Sequence, residues 1–219
     1  MLKAAEAYAK EIFMNDYSGH DFEHTLRVSR TAGYIARQEG ADPELTQLAA
    51  LLHDVDDRKL SPETCANLDR AREFLHSHGI GEAQTDAVCQ MIREVSFKGT
   101  DSVIPSTLEG RCVQDADRLD AMGAVGIARA FAFGGSRGRK MYNPEQPPRL
   151  NMDAASYAAN TDGCTINHFY EKLLLLEGMM TTETGRKLAR HRHEFMEAFL
   201  AEFFEEWNGE IRGDQLTIP

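Results

Sequence analysis

The sequence predicts an all-α protein. Apolar residues recur at helical spacing along most of the chain, capping residues mark the helix starts, and no stretch alternates convincingly as a strand would.

The first helix is read over Leu2 to Met14 and ends at the break Asn15-Asp16-Tyr17-Ser18-Gly19. Asp21 is the expected N-cap of a second helix, about Phe22 to Glu39, which Gly40 stops. Asp42-Pro43 sets a capping carboxylate before a proline at the first helical position. That third helix carries Leu45, Leu48, Leu51 and Leu52 and ends at His53-Asp54. Ser61-Pro62 repeats the same start for a fourth helix, which Gly79 ends. Glu82 to Val95 and Leu108 to Phe133 follow, the latter broken near Gly123. Gly134 to Gly163 is mostly polar and holds several glycines and prolines. It is expected to be a long loop, with room for one short helical turn, of the kind that forms a lid or binding loop or else is disordered. Helices of about Ile166 to Met180 and Glu183 to Trp207 close the chain. The expected organisation is one domain over residues 1–219, with a core at about 16–134, the loop at about 134–163 and C-terminal helices at about 165–207.

Composition narrows the function classes. A net charge of −11 argues against a nucleic-acid surface, which needs lysines and arginines to neutralise phosphates. It is compatible with a small phosphorylated substrate, because a few local cations and a metal reverse the field locally. No window is apolar enough for a membrane span, and charges interrupt the N-terminal segment that a secretory signal would need. Cys65, Cys89, Cys112 and Cys164 are scattered without a CxxC pair, which fits a reducing cytoplasm and argues against structural zinc.

Three segments carry candidate chemistry. In Gly19-His20-Asp21-Phe22-Glu23-His24, the two histidines are four apart and would share a helix face, although surface histidines near a helix start are the plainer reading of that pair alone. In Leu51-Leu52-His53-Asp54-Val55-Asp56-Asp57, an apolar helix ends in a histidine and three acids. Acids there oppose the helix dipole, a penalty that a cation removes. In Val113-Gln114-Asp115-Ala116-Asp117-Arg118-Leu119-Asp120, carboxylates lie between apolar positions, and an inward-facing acid needs a cation or donors; a salt bridge to Arg118 or Arg111 is the plainer alternative. Two imidazoles and two carboxylates from separate helices suit a hard or borderline divalent ion with open positions, which lowers the pKa of water and neutralises charge on phosphorus.

The ordered set His24, His53-Asp54, Asp117 resembles the HD-domain superfamily of metal-dependent phosphohydrolases. The fuller runs His20-Asp21-x-x-His24-Thr25-Leu26-Arg27-Val28, Leu51 to Asp57, Asp115 to Ile127 and His168-Phe169-Tyr170-Glu171-Lys172-Leu173 resemble a bacterial single-domain subgroup. That subgroup includes nucleoside triphosphate pyrophosphohydrolases, and the likeness covers about residues 16–206. The resemblance implies an HD-type helical bundle with a C-terminal helical extension, and His24, His53, Asp54 and Asp117 as ligands of one divalent ion (Mn²⁺, Mg²⁺, Fe²⁺, Co²⁺ or Ni²⁺). Asp115 and Asp120 are then supporting or capping residues. His76 and His78 are expected at the surface, so a mononuclear site is favoured.

Around the metal, Asp57 is expected to position or deprotonate the attacking water, and His20 to bind phosphate or act as general acid. Arg27 and Lys172 are the preferred substrate cations, ahead of Arg58, Lys59, Lys98 and Arg118. Leu188, Phe195, Phe199 and Phe203 form an expected packing stripe on the last helix. The expected activity is hydrolysis of a small phosphorylated substrate, a nucleotide, by metal-activated water, with (d)NTP to (d)NMP plus pyrophosphate as the leading form. The rivals are a phosphodiesterase or nucleotidase of other specificity and a non-catalytic nucleotide- or metal-binding regulatory module. Oligomeric state is open, a homodimer included.

Overall fold

Capping chemistry sets where the helices begin. A computed structural model describes residues 1–14, 21–57, 61–95, 101–160 and 162–209. Among them lie α1 (Leu2–Ile12), α2 (Phe22–Glu39), α3 (Pro43–Leu52), α4 (Asp69–Ser77), α5 (Glu82–Val95) and α6 (Leu108–Asp120). α7 (Gly123–Ser136), α8 (Ala154–Ala159), α9 (Thr165–Glu171), a 3-10 helix (Leu173–Met179) and α10 (Glu183–Asn208) complete the set, with no strand among the described residues. The expected break at Asn15 to Gly19 lies outside them.

Asp21 caps α2 by accepting from the His24 amide, and Gly40 ends it in the left-handed region. Asp42 caps α3 ahead of Pro43 in the same way. α6 and α7 are separate helices because Gly123 takes φ +70°, which breaks the run where the sequence places the break.

Two expected elements differ. The fourth helix starts at Asp69 rather than after Ser61-Pro62. The Ser61 hydroxyl is occupied by the Val55 carbonyl and Arg70, and the start is capped instead by Asp56, which accepts from the Arg70 and Ala71 amides at 3.2 and 2.9 Å. The expected helix from Ile166 to Met180 divides at Lys172 (φ −144°, ψ −58°), beyond which the chain tightens into the 3-10 helix.

α2 is the central helix and packs on both α3 and α6; α1 and α5 flank α3, α5 also lies on α6, and α10 closes the far side against α7, α6 and the 3-10 helix. The interior is built from Val28, Ile35, Leu51, Leu52, Leu75, Leu119 and Met196, all fully or almost fully buried. Each large aliphatic side chain there contributes about 1.5–3 kcal/mol through burial. Gly185 permits a close approach: a Cβ on it would stand 2.3 Å from Asp115 Oδ2. That carboxylate accepts from the amides and hydroxyls of Thr181 and Thr182 and so fixes the start of α10 on α6.

The segment after α7 is a long connection with one short helix, α8, and it is tied down. Buried Glu171 of α9 accepts from Arg149 N at 3.0 Å and Asn160 Nδ2 at 2.9 Å, and Asn167 donates to the Gln146 carbonyl at 2.8 Å. Of the expected stripe on α10, Phe199 and Phe203 pack with Phe131, and Leu188 is partly buried. Phe195 is 50% exposed, because its turn of α10 faces solvent.

Candidate metal centre

Three helices bring His24, His53 and Asp117 together with ligand atoms within 4.8 Å of one another, and Asp54 lies beside the two imidazoles. His24 sits in the first turn of α2, His53 and Asp54 follow directly on the end of α3, and Asp117 lies in the second half of α6. His24 Nε2 stands 3.5 Å from Asp54 Oδ2 and 3.5 Å from Asp117 Oδ1. His53 Nε2 stands 3.1 Å from Asp54 Oδ2 and 3.8 Å from Asp117 Oδ1. The two rings meet edge to face, with centroids 5.4 Å apart. Donor atoms each bound about 2.1 Å from one ion stand roughly 3.0–3.5 Å from one another, so this spacing fits a shared cation.

The other ring nitrogens fix the tautomers. His24 Nδ1 lies 2.8 Å from Asp120 Oδ2, and His53 Nδ1 lies 2.7 Å from the Ala50 carbonyl. A carboxylate and a carbonyl only accept, so each Nδ1 donates, and in neutral imidazole each Nε2 turns a lone pair toward the cluster. The Ala50 carbonyl is one of the unpaired acceptors at the end of α3, which is why a histidine immediately after that helix is held so firmly. His53 Nε2 is buried with no hydrogen bond of acceptable geometry, the state of a nitrogen whose partner is an ion.

Asp120 is an anchor rather than a ligand. Besides His24 it takes Arg27 Nε at 2.7 Å, Arg27 Nη2 at 3.0 Å and Arg129 Nη1 at 2.6 Å. Burial pushes its carboxyl up, but the hydrogen bonds from His24 and Arg27 and the Arg129 charge outweigh this and hold it far below the usual carboxylate range. Burial disfavours a charged His53, yet Asp54 and Asp117 dominate and lift its pKa from 6.5 to about 9; His24 is raised in the same sense by Asp120 and Asp54. The cluster is therefore a place that attracts positive charge. Its imidazoles are interior (side chains 1% and 3% exposed), whereas Asp54 and Asp117 are 14% and 25% exposed, which leaves the carboxylate side open to an incoming molecule.

The remaining candidates fall as follows. Asp57 is half-buried one turn past Asp54, its amide donating to the Asp54 carbonyl at 3.0 Å. Arg27 shares the His24 face of α2 and is committed to Asp120. Lys172 ends α9 with its ammonium 5.6 Å from the Tyr157 ring centroid, and Tyr157 stacks on His168. Burial and the Lys172 and Arg139 charges push His168 down to about 3, so it is neutral. Lys172 thus belongs with the α8–α9 connection, while the ligand cluster lies on α2, α3 and α6. His76 and His78 are exposed, as expected. His20, Arg58, Lys59 and Lys98 lie outside the described residues. Arg129 was not foreseen: its pairing with Asp120 spans the α6–α7 corner, and no spacing in the sequence announces it.

A family model described as HD domain matches residues 21–122, the stretch that carries all four ligand candidates. The chain is also 40% identical over 204 residues to the YpgQ protein of Bacillus subtilis, a span covering 91% of each. This chain belongs to the HD-domain family. The crystal structure of Bacillus subtilis YpgQ in complex with ADP matches with a TM-score of 0.75 and 36% identity, covering 94% of this chain and 97% of that one. A crystal structure of an HD-superfamily hydrolase from Bacillus thuringiensis matches with a TM-score of 0.73 and 37% identity, covering 95% and 97%. The class of this HD protein is the metal-dependent phosphohydrolases, and His24, His53 and Asp117 are positioned for a divalent metal. No helix among the described residues is long and apolar enough to cross a membrane.

Proposed function

We propose that this HD protein hydrolyses a nucleotide, cleaving a nucleoside triphosphate to the monophosphate and pyrophosphate, with His24, His53, Asp54 and Asp117 holding one divalent ion. The observation that carries the reading is the pair of tautomer-locked imidazoles whose Nε2 atoms converge with two carboxylates. An N₂O₂ donor set with no thiolate suits Mn²⁺, Mg²⁺, Fe²⁺, Co²⁺ or Ni²⁺. When bound, the ion supplies Lewis acidity toward a phosphoryl oxygen and toward water.

The chain's own groups do the rest. Asp120 holds His24 in its donor tautomer, and Arg27 and Arg129 hold Asp120. The Ala50 carbonyl orients His53. Asp57, one turn beyond Asp54, orients the water and takes its proton, and Lys172 offers a cation to substrate phosphate from the α8–α9 side. A nucleotide as substrate is supported by the ADP complex of the similar Bacillus subtilis protein.

The test is a panel of nucleoside triphosphates, diphosphates and monophosphates with Mn²⁺, Mg²⁺, Co²⁺ or Ni²⁺, scoring orthophosphate and pyrophosphate separately. Pyrophosphate release that disappears in Asp54→Ala supports the reading. Equal turnover in wild type and Asp54→Ala contradicts it.

A further inference from the structure

Away from the metal cluster, three guanidinium groups gather around a cavity of about 450 Å³ between α6, the segment preceding it and the start of α10. They belong to Arg111, Arg118 and Arg186. Arg111 and Arg118 are seven apart on α6 and share a face with Asp115 between them. None of the three forms an ion pair with a described carboxylate. Their hydrogen-bond partners are backbone carbonyls: Arg111 donates to Pro105 at 3.0 Å, Arg118 to Met179 at 2.5 Å and Arg186 to Met180 at 3.3 Å. Asp115, the acid on the same face, is saturated by Thr181 and Thr182.

Arg118 is the telling member. It is 4% exposed, and its Nε is buried with no hydrogen-bond partner. The Asp115 and Asp117 carboxylates offset part of the burial that disfavours its charge, but neither forms an ion pair with it, and a buried guanidinium left short of partners is costly. Opposite the cations the cavity has an apolar wall of Val103, Ile104 and Met179, with Val103 49% and Ile104 68% exposed. None of His24, His53, Asp54, Asp117 or Asp120 lines it.

We propose that this cavity is a second binding site, for a polyphosphate-bearing anion, held by Arg111, Arg118 and Arg186. Guanidinium forks match phosphate oxygens in shape and charge, and three of them suit two linked phosphoryl groups. The apolar wall offers a surface for a base, so the anion is either free pyrophosphate or the diphosphate moiety of a nucleotide. The proposal does not depend on the hydrolytic reading, since it uses no residue of the metal cluster.

The test is calorimetric titration of the Asp54→Ala protein in EDTA at low salt, first with sodium pyrophosphate and then with ADP. One anion is expected to bind per chain, with affinity falling as salt rises. Arg111→Gln and Arg186→Gln, each in that background, are expected to weaken it about tenfold, and Arg186→Lys less. Tighter binding of ADP than of pyrophosphate, with the difference abolished by Ile104→Ser, identifies a nucleotide; equal affinities identify the inorganic anion. Absence of binding, or binding indifferent to both glutamine substitutions in proteins that melt like the parent, overturns the site.

Discussion

Asp120 Oδ2 lies 2.8 Å from Nδ1 of His24, and this contact decides which nitrogen of a buried imidazole faces the cluster. The same oxygen also receives Arg27 and Arg129, so two cations from different helices hold the carboxylate ionised beside the ring. Asp120→Asn keeps the size of the side chain and removes its charge. The expected result is a 10–100-fold weaker affinity for the activating metal with helicity retained, read by metal titration and circular dichroism. Unchanged affinity would mean that His24 is oriented by something else.

Metal affinity is expected to depend on pH in a set direction. His53 in the ion-free protein is raised from 6.5 to about 9, so below about 9 it carries a proton that the ion must displace. Apparent affinity should rise roughly tenfold per pH unit up to about pH 9 and then level, with proton release measurable by calorimetry in buffers of different ionisation enthalpy. An affinity that is flat from pH 6.5 to 9 would show that His53 is not displaced.

The same shift has a consequence for the ion-free protein. A folded-state pKa above the unfolded one stabilises fully below pH 6.5, and this contribution is lost as pH rises through about 9. Asp120 acts in the opposite sense: its carboxyl is depressed, so its contribution is present above the unfolded pKa of about 3.9 and is lost as pH falls below that. Chelated protein should therefore melt lower at pH 9 than at pH 6.5, and added metal should remove most of that difference. A melting temperature that rises between those pH values would contradict the assignment.

The capping carboxylate Asp115 predicts a stability effect separate from catalysis. It accepts from both amides and both hydroxyls of Thr181 and Thr182. Asp115→Ala leaves those donors without an acceptor and is expected to cost about 3 kcal/mol in denaturant unfolding. Gly185→Ala, whose Cβ would collide with that carboxylate, should cost about 1–3 kcal/mol. Values near zero for both would show that α10 is not held at this point.

Much of this was legible in the sequence because it is local. Asp21, Asp42, Pro43, Gly40 and Gly123 act within a turn of their own positions, and the helices they bound fall where expected. The His53-Asp54 pair could be read because acids at a helix end oppose the dipole. The misread features depend on tertiary contacts. Ser61-Pro62 has the composition of a helix start, but the Ser61 hydroxyl is taken by the Val55 carbonyl and Arg70, and Asp56 caps later. Phe195 has the spacing of a packing residue on a turn that faces solvent. The Arg129–Asp120 pair and the cavity of Arg111, Arg118 and Arg186 join segments that no spacing relates.

The most direct measurement is the number of divalent ions bound per chain after dialysis against Mn²⁺, determined by elemental analysis for wild type and for His53→Ala. One ion per chain in the wild type, and close to none in a His53→Ala protein of unchanged helicity, is the predicted result. An equal metal content in the two proteins would contradict a centre in which both imidazole Nε2 atoms and the two carboxylates grip the same cation.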